Sequence, residues 1–346
     1  MFRTNGKAVI ANQKNRARDA ETVVITGASS GVGRATAHIF AQHGCSLGLL
    51  ARGQESLDAT AREVEQLGGQ ALAIPTDVAE ANQIQKAAEK VQARFGSIDV
   101  WVNNAMTTIF APFSEISAEE YKRATEVTYL GTVYGTMTAL HAMRPRDRGC
   151  IVQVGSALAY RSIPLQSAYC GAKHAIRGFT DSIRSELLHD RSSIKITMVQ
   201  LPALNTPQFN MCRTRLPNHP QPVPPIYEPE VAAKAIFWAA HHHRREVYVG
   251  GSTLQAIIGN KFVPGLLDRY LAEAGYESQQ TDEPVARNRP DNLFAQLPGD
   301  HGEHGIFGDR SEAQSVQLWE TTHRGTLAAS AVAMAGIALG LWLLRT

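Results

Sequence analysis

Short apolar runs alternate with longer amphipathic stretches between about residues 20 and 250. The apolar runs predict buried strands at 22–25, 47–50, 71–74, 98–102, 150–155, 194–201 and 246–249. The amphipathic stretches predict helices at 34–43, 55–67, 81–95, 117–143 and 230–243. A further helix, which carries Tyr169 and Lys173, is predicted to continue to about residue 189. This alternation indicates an α/β fold built on a doubly wound parallel sheet. In such a sheet the ligand crevice lies at the carboxyl ends of the strands.

The two flanks of this region depart from the alternation. Residues 1–20 contain five basic residues and one acid, and they have no apolar core of signal-peptide length. They predict a basic lead-in, with a membrane-surface contact as the alternative. Residues 251–325 are helix-poor after about Tyr270 and rich in Gly, Pro, Asp and Gln. They predict an extended wrap or linker after a domain of residues 21–250.

Residues 326–344 form an apolar run without a charge. As a helix the run would extend about 28 Å, close to the hydrocarbon thickness of a bilayer. Arg324 and Arg345 flank it, and Trp342 stands where an interfacial anchor would. We therefore expect a single-pass C-terminal transmembrane helix, with the rest of the chain facing the cytoplasm. The alternative is a buried or subunit-packing helix of a soluble protein, and formation of a homo-oligomer stays open.

Composition and charge narrow the classes of partner. The formal net charge is only +2, so nucleic acid is not an expected partner. Four cysteines are scattered without paired spacing, which indicates free thiols in a reducing compartment. The histidines at 241–243 fall in the last turn of a predicted helix, where cations suit the helix dipole. Those at 301 and 304 fall in a polar loop, and we predict no metal site at either place.

A glycine-rich turn follows the first predicted strand, as Thr26-Gly27-Ala28-Ser29-Ser30-Gly31-Val32-Gly33. A helix is predicted directly after it. Glycines allow the backbone to approach a pyrophosphate, and the N-terminus of a helix supplies N–H groups and the positive end of its dipole. The turn therefore predicts a dinucleotide-phosphate site that includes Thr26, Gly27, Ser29, Ser30, Gly31, Val32 and Gly33.

The residues after the next two strands indicate which dinucleotide is bound. An acid at the end of the second strand would suit a free ribose 2′-hydroxyl, but the chain has Leu50-Ala51-Arg52-Gly53 there. An arginine without an acid suits a 2′-phosphate, so NADP(H) is predicted over NAD(H), with a solvated loop arginine as the alternative. Asp77, beside Val78, either reaches an adenine amino group or caps the next helix.

Tyr169 and Lys173 lie four residues apart on a predicted helix, so both side chains share one face. Ser156 follows the predicted strand 150–155 and falls on the same rim as Thr26 and Asn103. Because a nearby cation favours the phenolate, we expect Lys173 to lower the pKa of Tyr169 towards neutrality. A phenol tuned in this way can pass a proton.

Taken together, Thr-Gly-x-x-x-Gly-x-Gly at 26–33, Asn-Asn-Ala at 103–105, Ser156 and Tyr-x-x-x-Lys at 169–173 resemble the short-chain dehydrogenase/reductase family, in its single-domain branch. The resemblance covers about residues 20–250. It implies a Rossmann-type domain and NAD(P)-dependent hydride transfer between an alcohol and a carbonyl. It also implies a role for each of the matching residues.

By this resemblance, Tyr169 is the general acid/base, Ser156 bonds the substrate oxygen, and Lys173 binds the nicotinamide ribose and lowers the pKa of Tyr169. The same resemblance implies cofactor contacts from Val78, Asn104 and Thr206.

Three positions depart from the family pattern. The resemblance places a catalytic Asn, which holds a water of the proton relay, where this chain has Thr128. Met106 and Ala203 replace glycines of the pattern. The substitution at Thr128 predicts an altered relay and puts the rate in question more than the chemistry.

We therefore expect a membrane-anchored NADP(H)-dependent oxidoreductase. Its small-molecule substrate is expected to be hydrophobic because Leu158, Ile163, Leu165 and Leu204 stand near the predicted site, although these residues could equally be core. The proline-rich segment up to Pro229 is expected to form a lid over the substrate pocket. The alternative is an NADP-binding scaffold or redox sensor at the membrane with little turnover.

Overall fold

Strands and helices alternate as the sequence predicts in the computed structural model of the protein, which describes residues 20–286 and 288–324. The strands are β1 (Thr22–Thr26), β2 (Ser46–Ala51), β3 (Gln70–Pro75), β4 (Val100–Asn103), β5 (Ile109–Phe110), β6 (Cys150–Val154), β7 (Lys195–Gln200), β8 (Ala203–Leu204), β9 (Arg213–Thr214), β10 (Asn218–Pro220), β11 (Ile226–Tyr227), β12 (Glu246–Tyr248), β13 (Gln280–Pro284) and β14 (Ser311–Glu312). The helices are α1 (Gly31–Gln42), α2 (Gln54–Gln66), α3 (Ala81–Phe95), α4 (Ala118–Thr125), α5 (Gly131–Met143), α6 (Ser167–His189), α7 (Gln208–Met211), α8 (Pro229–His241), α9 (Gly251–Phe262), α10 (Pro264–Ala274) and α11 (Val316–Thr322).

The main sheet has seven strands in the order β12-β7-β6-β4-β1-β2-β3. Every neighbouring pair in it is parallel. The strand order reverses between β1 and β4, where the chain first runs outward to β3 and then returns to β4. This topology is the doubly wound Rossmann-like arrangement that the alternation predicts, and its switch point is where such sheets bind ligands.

Apolar side chains of the sheet pack against helices on both faces. In β1, Val23 and Ile25 belong to one core cluster and Val24 to another, because successive side chains of a strand point to opposite faces. Helices α1, α2 and α8 cover the first cluster, whereas α3, α5 and the end of α6 cover the second. Burial on both faces explains why these strands are continuous apolar runs rather than alternating ones.

The predicted helix 117–143 forms, but a π-helical turn at Glu126–Leu130 separates α4 from α5. Its beginning is well specified, since Ser117 and Glu120 form a reciprocal capping box. Such π turns shift the register of a helix and redirect its side chains. Thr128 lies within this turn.

The segment after β12 is more structured than the sequence predicts. Helices α9 and α10 occupy residues 251–274, and β13 and β14 then pair with β10 and β11 of the proline-rich segment. Residues 288–310 carry only one short 3₁₀ turn and lie against the carboxyl end of the sheet. The chain after β12 therefore returns to the edge at which ligands are expected.

Within residues 20–286 and 288–324, no helix is both long and apolar enough to cross a membrane. The predicted anchor at 326–344 lies outside the described residues, as does nearly all of the predicted lead-in at 1–20.

Candidate active site

Ser156, Tyr169 and Lys173 border a single cavity at the carboxyl end of the sheet. Ser156 follows β6 in extended backbone, and its hydroxyl accepts a hydrogen bond from Leu158 N–H at 3.1 Å. Its own N–H donates to the side-chain oxygen of Gln200 at 2.9 Å. Tyr169 and Lys173 come from the first turns of α6, which runs back from the same rim. The strand end and the helix thus bring the three side chains together.

Lys173 is almost completely buried, at 3% exposure. Its ammonium donates to the carbonyl oxygen of Val154 at 2.7 Å and lies 5.4 Å from the centre of the Tyr169 ring. Burial lowers the pKa of Lys173 to about 8. Lys173 is thus held by the end of β6, with its charge available beside the phenol.

The expected lowering of the Tyr169 pKa is wrong. Burial of the phenol raises this pKa above its ordinary value, and the hydrogen bond with Ser156 opposes the rise without cancelling it. Spacing alone showed that Lys173 is near, but it did not show that Lys173 is buried and that the Tyr169 side chain is partly removed from water. The phenol is therefore protonated over the whole neutral range, which is the form that can donate a proton.

Thr128 does not line the cavity of the three residues above, and its hydroxyl is already engaged. It donates to the carbonyl oxygen of Thr107 at 2.9 Å and accepts from Thr107 N–H at 3.1 Å. Its side chain is buried at 1% exposure. Thr128 therefore ties the π turn to the loop after β4, and its side chain holds backbone where the sequence predicted a held water.

The glycine-rich turn is fastened to the end of β4 through Thr26. The Thr26 hydroxyl accepts from the N–H groups of Asn104 at 2.9 Å and Ala105 at 3.1 Å, and the Asn104 side chain donates to Thr26 O at 3.0 Å. Gly27 has a positive φ of 68°, and a Cβ on it would lie 2.8 Å from Ala105 Cα. A Cβ on Gly33 would lie 2.0 Å from Gly27 O. The turn is thus packed too tightly for side chains, which leaves bare backbone facing the cavity.

A second cavity of about 210 Å³ adjoins the first, which measures about 270 Å³. Of the predicted cofactor contacts, ten line this second cavity: Gly27, Ser29, Ser30, Gly31, Val32, Arg52, Asp77, Val78, Asn104 and Thr206. The residues that line both cavities are Val32, Asn104, Met106, Thr206 and Gln208. Ser30, which precedes α1, makes no side-chain cap, and the first turn of α1 carries no acid, so its N–H groups suit an anion, apart from that of Gly31, which donates to Gly302 O at 3.1 Å. This set of donors and bare backbone fits a dinucleotide.

Arg52 and Asp77 stand at the far end of that second cavity. Arg52 donates to the carbonyl oxygens of Asn292 and, at 3.2 Å, of Phe294. Burial lowers the pKa of Arg52, and the nearby Arg123 adds to this, whereas Asp77 opposes it. Asp77 is not the cap of α3, which is Glu80. Its carboxylate instead pairs with Arg123 and accepts from Ala79 N–H at 3.0 Å.

Sequence reasoning missed two groups of site residues. The second cavity, here called the cofactor cavity, is also lined by four residues of the C-terminal segment: Asn292, Gln296, Leu297 and His301. In the other cavity, Gln166 donates to Gln279 at 2.8 Å, and the buried Thr253 hydroxyl lacks a hydrogen-bond partner among the residues described. Nothing in the local pattern marks them, because long-range packing brings them to the site.

The histidines that the sequence analysis set aside form ordinary polar contacts. His241 pairs with Glu21 at 3.1 Å, and His304 pairs with Glu230 at 2.8 Å. Glu228, Glu230 and His304 bring three potential ligand atoms within 4.8 Å of one another, on the surface and away from both cavities.

Comparison with known proteins agrees with this site. Residues 21–216 match the family model described as short chain dehydrogenase. The uncharacterized oxidoreductase YxnA of Bacillus subtilis is 33% identical over 266 residues, which cover 76% of this chain and 75% of that protein. Dehydrogenase/reductase SDR family member 7 of Homo sapiens is 37% identical, covering 48% of this chain and 50% of that protein. The 3-dehydrosphinganine reductase of Danio rerio is 32% identical, covering 54% of this chain and 57% of that protein.

Solved structures give the same fold. A short-chain dehydrogenase from Streptomyces avermitilis superposes with a TM-score of 0.62 at 25% identity, covering 75% of this chain and 99% of that one. A metagenomic short-chain oxidoreductase in complex with NADP has a TM-score of 0.56 at 25% identity, covering 67% and 98%. The chain therefore spans the full length of these structures but only about half that of the human and zebrafish relatives.

Proposed function

The chain belongs to the short-chain dehydrogenase family and is an oxidoreductase of that family, and on this premise we propose that it transfers hydride between NADP(H) and the carbonyl or alcohol group of a hydrophobic small molecule. One observation carries the proposal. Ser156, Tyr169 and Lys173 border one cavity, and that cavity adjoins the one lined by the glycine-rich turn.

These side chains supply the proton and stabilise the charges of the proposed reaction. A reduced nicotinamide held by the residues of the cofactor cavity would supply a hydride to the carbonyl carbon. As the carbon–oxygen double bond becomes single, Tyr169 O–H gives its proton to the oxygen. Ser156 donates a hydrogen bond to the same oxygen, which stabilises the charge that develops there. Lys173 stabilises the tyrosinate left behind, because a cation beside the phenolate favours it. The reverse sequence oxidises the alcohol.

NADP(H) rather than NAD(H) is supported by the charge at the far end of the cofactor cavity. Arg52 forms no ion pair with a carboxylate within the described ranges, although Arg123 stands near it. A half-buried guanidinium whose hydrogen-bond partners among the described residues are neutral carbonyls favours an anionic ligand. The neighbour solved in complex with NADP supports the same choice.

A hydrophobic substrate is supported by the side chains around the cavity of Tyr169. Apolar residues from several segments line it: Leu158, Ile163, Leu201, Leu204, Phe209, Val223, Ala256 and Leu271. The Danio rerio relative is named as a reductase of 3-dehydrosphinganine. We propose that a largely apolar ketone, aldehyde or alcohol occupies the cavity.

Attachment to a membrane through 326–344 remains part of the proposal. Beyond the sequence of that run, support comes from α9 and α10, which expose the side chains of Ile258, Phe262, Leu266 and Tyr270. Carbonate washing of membranes that contain the full chain tests the idea. Protein that resists the wash, and becomes soluble on deletion of 326–346, supports an anchor. Protein released by the wash contradicts it.

A substrate screen tests the proposed reaction. The full chain is supplied with NADPH and a panel of apolar ketones and aldehydes, and loss of reduced cofactor is followed beside the Tyr169→Phe variant. Turnover by the wild-type protein well above that of the variant supports the proposal. Binding of NADPH without any turnover above the variant favours the alternative, an NADP-binding scaffold.

A further inference from the structure

The C-terminal segment of residues 291–302, here called the strap, forms one wall of the cofactor cavity. Asn292, Gln296, Leu297 and His301 of the strap line the cavity. The strap reaches it from more than two hundred positions away in sequence, since the contact of Arg52 with Asn292 spans 240 residues. It lies outside residues 21–216, which match the family model. The strap therefore brings to this cavity residues that the family model does not include.

The strap holds Arg52 by backbone atoms. The carbonyl oxygen of Phe294 accepts from Nη1 of Arg52, and that of Asn292 accepts from Nη2. The carbonyl between them, that of Leu293, accepts from Arg123 at 3.1 Å. These contacts fix the plane of the Arg52 guanidinium while leaving other N–H donors of that group free.

Asp291 fixes the backbone conformation of the strap next to the carbonyls that contact Arg52. One carboxylate oxygen accepts from Leu293 N–H at 3.0 Å and closes a turn two residues long, and the other accepts from Arg213 at 2.9 Å. Arg213 also bonds Glu120 of α4 at 2.6 Å. Glu120, Arg213 and Asp291 thus connect the start of α4 to the turn that presents the carbonyls to Arg52.

The other end of the strap is fastened separately. Asp300 forms an ion pair with Arg34 of α1, and Gly302 O accepts from Gly31 N–H at 3.1 Å. These contacts lie beside the glycine-rich turn and not beside Arg52. The strap is therefore fastened at both ends of the cofactor cavity, and Gly299 adds hydrogen bonds with Ser56 at 2.8 Å and Glu55 at 3.0 Å.

We propose that the strap determines cofactor specificity, with Asp291 as the residue that positions Arg52 for a 2′-phosphate. The proposal rests on the proposed NADP(H) dependence. A guanidinium on a flexible side chain loses rotational freedom when it binds a phosphate. The strap carbonyls restrict Arg52 beforehand, so the bound 2′-phosphate gains charge-assisted hydrogen bonds at a smaller entropic cost. NAD(H), which lacks that phosphate, gains nothing from the same restriction.

Titration of the full chain with NADPH and with NADH, followed by the fluorescence of the reduced nicotinamide, tests the proposal. Asp291→Ala removes both the turn and the ion pair, and it is expected to weaken NADPH binding about tenfold while changing NADH binding less than about twofold. Asp291→Asn keeps an oxygen for Leu293 N–H, so it is expected to recover most of the NADPH affinity.

Asp300→Ala is the matched control, because it also removes a strap carboxylate that pairs with an arginine. Its ion pair is with Arg34 and not with Arg52, so any change is expected to affect the two cofactors alike. Equal weakening of NADPH and NADH by Asp291→Ala, or an unchanged preference, would overturn the role of the strap. Wild-type protein without a preference for NADPH overturns the proposed NADP(H) dependence itself, and the strap's role with it.

Amide hydrogen exchange of the wild-type protein tests the same role of the strap without relying on the folding of Asp291→Ala. Peptides that cover 291–297 are expected to exchange more slowly with bound NADP than with bound NAD at equal saturation. Equal protection by the two cofactors would contradict the proposal.

Discussion

The rim that carries Ser156, Tyr169 and Lys173, for which we propose the catalytic role, and the far end of the cofactor cavity are built in different ways. The rim takes Val154, Ser156, Tyr169 and Lys173 from one strand end and the helix after it; Ser156 and Lys173 are buried and Tyr169 is half-buried. The far end joins Arg52 to a strap 240 residues away through half-buried polar contacts. A site made from neighbouring elements is specified by a short motif, whereas one made from distant segments is not. The first should govern the chemical step and the second the choice of cofactor.

Tyr169→Phe is expected to have the largest effect, and it acts on the rim alone. Loss of the proton donor should lower turnover by about 10² to 10⁴, while NADPH affinity changes little because the ring remains. Turnover and NADPH binding measured on the same preparation separate the two effects. Tyr160→Phe is the control, since Tyr160 donates to Glu246 and does not line the cavity of Tyr169. A variant that retains turnover would remove Tyr169 from the proposed mechanism.

Arg52→Gln should have the opposite signature, because it acts on the far end alone. Loss of charge-assisted hydrogen bonds to a 2′-phosphate is expected to weaken NADPH binding about 10- to 100-fold. Turnover at saturating NADPH should stay near the wild-type value. Full steady-state curves with varied NADPH check both expectations. A fall in turnover with unchanged affinity would break the division between the two regions.

Low pH is expected to weaken the ion pairs at the far end of the cofactor cavity, because Glu120 connects to Asp291 through Arg213. Burial opposes ionisation of Glu120, but hydrogen bonds from Arg215, the backbone of Ser117 and Arg213 lower its pKa from 4.5 to about 2. Its contribution to stability is therefore present above about pH 4.5 and is lost as the pH falls towards 2.

Glu120→Gln tests this connection. The variant is expected to be less stable at neutral pH by on the order of 3 kcal/mol at most, with the difference shrinking as the pH falls below about 4.5. Thermal melts across this range measure it, and Glu119→Gln, on the exposed neighbour, should change little. A difference that does not depend on pH would show that the ionised carboxylate is not what stabilises this corner.

Thr128→Val should have the smallest effect, and it tests whether the Thr128 hydroxyl stabilises the loop after β4. The substitution keeps the shape but leaves the buried N–H and C=O of Thr107 without the partners they have at 3.1 and 2.9 Å. A loss of about 1 to 2 kcal/mol in the free energy of unfolding is expected. Denaturant titration checks it, with Thr125→Val, whose hydroxyl bonds only the preceding turn, as the control. An unchanged stability would mean that Thr128 does not hold the loop after β4.

The sequence predicted the parts of the molecule that local pattern controls. Helix α3 begins and ends where the amphipathic pattern does, at Ala81 and Phe95, and the main strands follow the apolar runs. The pKa of Tyr169 was misjudged because four-residue spacing shows proximity but not burial. The strap was not foreseen as part of the site, since residues such as Asn292 have no periodicity and reach Arg52 only through tertiary packing.

The most direct test of the account is the affinity of the full wild-type chain for NADPH and NADH, measured side by side at one salt concentration. Arg52, which has no carboxylate partner in the described residues, predicts that NADPH binds at least about tenfold more tightly. Equal affinity for both cofactors, or no binding of either, would contradict it.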